Sequence, residues 1–275
     1  MTGRLIKYEI RSSIKLMAVI WAALIAASLL FSVSSNLLRR TFEGASQGAN
    51  TLVSIVGTIT GFMYISIFIA LVAATVIIVI LRFYKGLLGD EGYLMHTLPV
   101  KPWQLITSKG LVAAGVVLLS IIVAMVSLAI LAGLSSLSVI PDIFSGIAKA
   151  WKEDPRYILI IVEVLVIMVL SLLKSIYQVY ASLAIGQLAG KHRILLSLAA
   201  YIGLSTAVTV FFIILGMIAG SFDMVDLLSS WDGSAGNMFG LSQFVIAVMF
   251  GLTAIQLVAF HIITERILSL KLNLQ

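Results

Sequence analysis

LVSIVGTITGFMYISIFIALVAATVIIVIL, Leu52–Leu81, runs for thirty residues without a charge. A membrane-spanning helix needs about 20 mostly apolar residues, so this run can cross a bilayer and still tilt or project beyond it. Five further runs of the same kind lie at 16–38, 103–137, 157–185, 194–220 and 240–264. The chain of 275 residues is 61% hydrophobic and 11% charged, against about 45–50% and 25% in a soluble domain. The expected fold is all-α, a polytopic membrane protein with six transmembrane helices in one domain, 1–275. There is no cysteine, which excludes disulfides, thiolate nucleophiles and cysteine-ligated metals.

Six spans put both termini on one side. The segments on that side carry Arg4, Lys7, Arg11, Lys15, Arg82, Lys85, Lys101, Lys109, Lys191, Arg193, Arg266 and Lys271, with only Glu9, Asp90, Glu91 and Glu265 as acids. The opposite side carries Arg39, Arg40, Lys149, Lys152 and Arg156 against seven acids. Basic loops stay in the cytoplasm, so both termini are expected there. The net charge of +6 is then a mark of topology, and nucleic acid is not expected as a partner.

Before the first span, Ile6, Ile10, Ile14 and Met17 recur at helical spacing beside a stripe of Arg4, Lys7, Arg11 and Lys15. That pattern suits an interfacial helix over 1–15, lying in the plane of the headgroups with its lysines snorkelling. The first span is expected to remain uncleaved. On the outer side, Ile140, Ile143, Phe144, Ile147 and Trp151 form an apolar stripe between Pro141 and Pro155, which predicts an amphipathic surface helix over 140–154. The segment from Ser221 to Gly240 holds three acids, no base and a DGSAGN turn.

No phosphate-binding loop, no H-E-x-x-H and no paired carboxylate helix is present, so no catalytic residue and no metal site is assigned. His96, His192 and His261 are scattered. Two charges enter the fourth span, Glu163 and Lys174, and intramembrane charges are candidates for a translocation path. Gln178 lies one turn beyond Lys174. Eleven residues put Glu163 and Lys174 on one face but about 16 Å apart along the axis, too far to pair. Gly57 with Gly61, and Gly216 with Gly220, each make G-x-x-x-G and are candidates for close helix packing.

The inner connection between spans 2 and 3, residues 82–109, contains EGYLMHTLPVKPWQLITSK at Glu91–Lys109. Asp90 can cap a short helix beginning at Glu91. Leu94 and Leu98 share its apolar edge beside Met95, Pro99 stops it, and Pro102 opens the third span. A short cytoplasmic helix with an apolar edge suits a groove on a soluble partner. The residues Glu91, Gly92, Tyr93, Leu94, Leu98, Pro99, Val100 and Lys109 resemble the membrane subunits of bacterial ATP-binding-cassette (ABC) exporters of the type-2 permease family. The six spans and the N-terminal helix agree, whereas the helix between spans 3 and 4 is larger than that family leads one to expect.

That resemblance implies a permease whose loop 82–109 holds a coupling helix, with Asp90, Glu91, Gly92, Tyr93, Leu94, Met95, Leu98 and Pro99 seated on a separate ABC ATPase. The chain itself would bind no cofactor, and ATP and Mg would sit on the partner. A second permease copy, identical or paralogous, would complete a path for an amphipathic or hydrophobic cargo such as a peptide, toxin, lipid or drug. The alternatives are an ion-coupled secondary transporter using Glu163 and Lys174, and a non-transporting immunity or scaffold protein.

Overall fold

The computed structural model describes residues 2–42, 47–88, 102–131, 139–189, 192–221 and 235–270. Every element among them is helical: α1 Thr2–Phe42, α2 Gln47–Phe83 continued by a π-turn Tyr84–Leu88, α3 Pro102–Leu131, α4 Val139–Glu153, α5 Arg156–Gly186, α6 Arg193–Ser221 and α7 Ala235–Leu270. In hydrocarbon a chain must satisfy its own backbone polar groups, and a helix does so within one segment. Hydroxyls inside the spans do the same. Ser66 donates to the Phe62 carbonyl, Thr75 to Leu71 and Thr206 to Ile202, each at 2.8–2.9 Å, so these polar residues cost the helix little.

Six of the helices are long and apolar enough to cross a membrane, over Met17–Leu37, Val53–Leu88, Trp103–Leu131, Arg156–Gly186, Arg193–Ile218 and Phe239–Ser269. Their large apolar side chains face outward: Val19 is 71% exposed, Ile194 81% and Met217 71%. Water would penalise such a surface heavily, and lipid does not. The N-terminal basic segment belongs to α1 itself, without an interruption between it and the first span. The segment expected to form a helix over 140–154 is helical as α4, with Asp142 in its first turn and Lys152 in its last, where they complement the helix dipole. Asp154 then accepts the backbone N–H of Arg156 at 2.9 Å and so helps start α5.

The chain divides into two compact units, Met1–Val79 with Val112–Ile147, and Ile80–Leu111 with Ala148–Gln275. In the first, Met17, Leu24, Tyr64, Leu71 and Val116 form a buried core. Met17 and Leu24, like Tyr64 and Leu71, are seven residues apart, so each pair shares one helix face. Packing and interhelical hydrogen bonds hold such helices together where lipid offers no hydrophobic driving force. Trp21 Nε1 donates to Ser120 Oγ at 3.0 Å, Thr75 Oγ1 lies 3.3 Å from the same oxygen, and Tyr64 and Ser127 share a bond of 2.9 Å.

In the second unit α5 is the centre, packed against both α6 and α7. Its C-terminal end approaches α6 closely: a Cβ at Gly186 would overlap Ser197 Oγ and lie 2.7 Å from the Arg193 carbonyl oxygen. At its N-terminal end the Arg156 guanidinium sits 5.5 Å above the ring of Phe239 in α7.

Candidate functional site

The expected ATPase contacts Asp90, Glu91, Gly92, Tyr93, Leu94, Met95, Leu98 and Pro99 lie outside the described residues. Both ends of the segment that carries them are described. The chain leaves α2 through the π-turn Tyr84–Leu88 and re-enters α3 at Pro102. Around these two ends the second unit builds a buried cluster.

Lys109 anchors it. The residue is only 7% exposed, and its ammonium points at the Arg82 carbonyl oxygen, 3.5 Å away. A buried ammonium is costly unless acceptors surround it. Here the acceptor is a backbone carbonyl in the last turns of span 2, where the chain passes into the π-turn and the helix dipole is negative. Gly86 makes the room, since a Cβ there would overlap Lys109 Nζ. Leu87, Leu88, Leu105 and Ile106, on the two stretches that carry Gly86 and Lys109, are buried as well.

Span 4 joins the cluster through two tyrosines. The ring of Tyr180 stacks on Phe83 with centroids 3.9 Å apart and planes 13° from parallel, and its hydroxyl donates to the Lys109 carbonyl at 3.3 Å. Tyr177 presses its hydroxyl against Gly110, where a Cβ would lie 2.7 Å from the oxygen. The same ring meets His261 of α7 edge-on at 5.2 Å. Thus one side chain or another ties α2, α3, α5 and α7 together beside the two ends of the loop. The cluster lacks a nucleophile–base pair. The arrangement is a tight joint in which side chains of four helices meet beside the two ends of the loop.

The remaining expected residues are distributed along α5. Glu163 accepts a hydrogen bond from Gln243 Nε2 of α7 at 2.7 Å, and Gln178 Nε2 donates to Ser205 Oγ of α6 at 2.7 Å. Lys174 is partly buried and has no hydrogen bond or ion pair among the described residues. Among the expected packing glycines Gly57, Gly61 and Gly216, Gly61 alone has a close neighbour among the described residues. Gly61 lies against the ring of Phe31 at 3.5 Å from where its Cβ would be, while Gly57 and Gly216 have nothing within 4 Å. Gly220 lies near the end of α6. His192 is exposed just before α6, and His96 lies outside the described residues. No group of three His, Cys, Asp or Glu residues that could hold a metal is present among the described residues.

Sequence reasoning marked Lys109 as part of a motif but missed the seat that holds it. Gly86, one turn past the last apolar residues of span 2, was the available signal. Comparison with protein-family models, with curated proteins and with solved structures returns no match to the chain.

Proposed function

We propose that this chain is the membrane-spanning permease subunit of an ATP-driven ABC exporter, moving an amphipathic or hydrophobic cargo outward. In this reading both termini and the loop 82–109 face the cytoplasm of a bacterial cell. The N-terminal segment meets the headgroups, and a coupling helix over Glu91–Leu98 docks on a separate ATPase that binds ATP and Mg. A second permease copy completes the path.

The observation that carries the proposal is the Glu91–Lys109 motif together with the burial of its last residue. A connection that only had to turn would not need a cation buried against the end of the preceding span. A loop that receives force needs both ends fixed to the spans it moves. Phe83, Lys109, Tyr177 and Tyr180 supply that fixation.

The direct test is co-purification of the chain from its native membrane in mild detergent. The expected result is a soluble ATPase travelling with it, and cargo export from inverted or whole-cell preparations that stops when ATP is withheld. Recovery of the chain without any ATPase, with transport driven by an ion gradient, would refute the proposal and favour an ion-coupled carrier. That second reading draws on one observation, the intramembrane Glu163 bonded across helices to Gln243.

A further inference from the structure

We infer, with the transporter reading as premise, that Lys174 is a recognition site for a negatively charged group on the cargo, a carboxylate or a phosphate. The helix α5, Arg156–Gly186, is about 46 Å long at 1.5 Å per residue, well beyond the roughly 30 Å of a hydrocarbon core. Its midpoint is residue 171, so Lys174 lies only about 5 Å from the middle. A charge at that depth is costly and needs a counter-charge or a polar cavity.

No acid among the described residues supplies the counter-charge. Glu163 is about 16 Å away along the helix and is already engaged by Gln243. Glu265 lies one turn past His261, which touches Tyr177, so it is about 10 Å further along the axis than Lys174. By sequence position every other acid is outside the six apolar helices. A second identical copy does not help either. A twofold axis along the bilayer normal keeps each residue at its own depth, so the offset between Glu163 and Lys174 persists between copies.

The position of Lys174 on the helix also fits a binding crevice. At about 100° per residue, with Glu163 as zero, Tyr177 lies at about −40° and these two meet α7. Gln178, at about +60°, meets α6. Lys174 falls between them at about +20°, in the sector bounded by α6 on one side and α7 on the other. Gly186 meets Ser197 and Gln178 meets Ser205, so α6 runs antiparallel to α5 and brings Thr209 to the level of Lys174. An amphiphile with a single acidic group would set that group against the cation and the hydroxyl, and its chain along the apolar surfaces of the spans.

The test uses the purified full-length chain in phosphatidylcholine nanodiscs and a fluorescent fatty acid, 11-(dansylamino)undecanoic acid, with its primary amide as the uncharged control. Saturable binding of the acid is expected, with the amide weaker by about tenfold or more, the loss of one charge-assisted bond. Lys174→Met should bring the acid down to the level of the amide, and Lys174→Arg should keep the preference. Equal binding of acid and amide by the wild type, or full binding by a well-folded Lys174→Met, overturns the inference. Adding phosphatidylglycerol to the nanodiscs distinguishes sources: competition assigns the anion to a lipid headgroup, and its absence assigns it to a free amphiphile. Binding does not require an ATPase, so failure here and failure of the exporter proposal are separable.

Discussion

Gly86→Ala probes the joint most sharply. The new methyl would overlap Lys109 Nζ and come within 3.0 Å of Lys109 Cε. The lysine tip is flexible and moves aside, so the cost is the loss of its polar seat and not a hard clash. A hydrogen bond to a charged group contributes about 1.5–3 kcal/mol. Replacing a helical glycine by alanine returns about 0.5–1 kcal/mol. The net destabilisation is then about 1–2 kcal/mol, or a fall of about 2–8 °C in the midpoint of thermal unfolding for a chain of this size. The assay is size-exclusion fluorescence after heating in detergent, read as a difference between variants. The same substitution in a Lys109→Met background has no ammonium to displace, so it should leave the midpoint unchanged or raise it. The cycle should return a coupling of about 1.5–3 kcal/mol. An equal fall in both backgrounds would show that Gly86 serves something other than the seat of Lys109.

Three other substitutions test separate contacts. Gly186→Ala should cost about 1–3 kcal/mol, and Ser197→Gly should not rescue it, because the Arg193 carbonyl would still lie 2.7 Å from the methyl; the same heating assay decides. Gln243→Leu leaves the Glu163 carboxylate without its amide donor and should lower the midpoint more than the double change Glu163→Leu with Gln243→Leu, since an unpaired buried acceptor is costlier than none. On the coupling-helix reading, alanine at Tyr93, Leu94 or Leu98 should abolish ATPase association while leaving the thermal midpoint within about 1 °C of wild type, because residues reserved for a partner add little to the stability of the chain alone.

The six long apolar helices and the helix α4 were legible because they rest on local properties: length, hydropathy, helical spacing and proline placement. Partnerships were not. Nothing in the neighbourhood of Glu163 points to Gln243, eighty residues on, and nothing around Phe83 points to Tyr180. Which helices become neighbours is decided by packing over the whole chain, and lipid, being as apolar as leucine, leaves no hydropathy signal for it. The glycine pairs show the same limit. The spacing of Gly57 and Gly61 sets them on one face but does not say what that face meets, and within the chain only Gly61 meets a side chain. Lys109 was readable as a member of a motif. Its burial depends on Gly86, on the helix end at Arg82 and on a carbonyl bond from Tyr180, each from a different stretch of sequence. The loop residues between these anchors, Asp90–Pro99, were read from sequence alone.

The bond from Trp21 to Ser120 gives the first unit an optical signal of its own. Indole emission shifts with the state of its N–H and the polarity around the ring. Trp103 and Trp151 are 44% and 59% exposed, whereas Trp21 is partly buried with its nitrogen engaged across to α3. Replacing Trp103, Trp151 and Trp231 by phenylalanine would leave one emitting side chain, placed where α1 and α3 touch. Its colour, followed in time, would report whether those two helices keep hold of each other while the protein works.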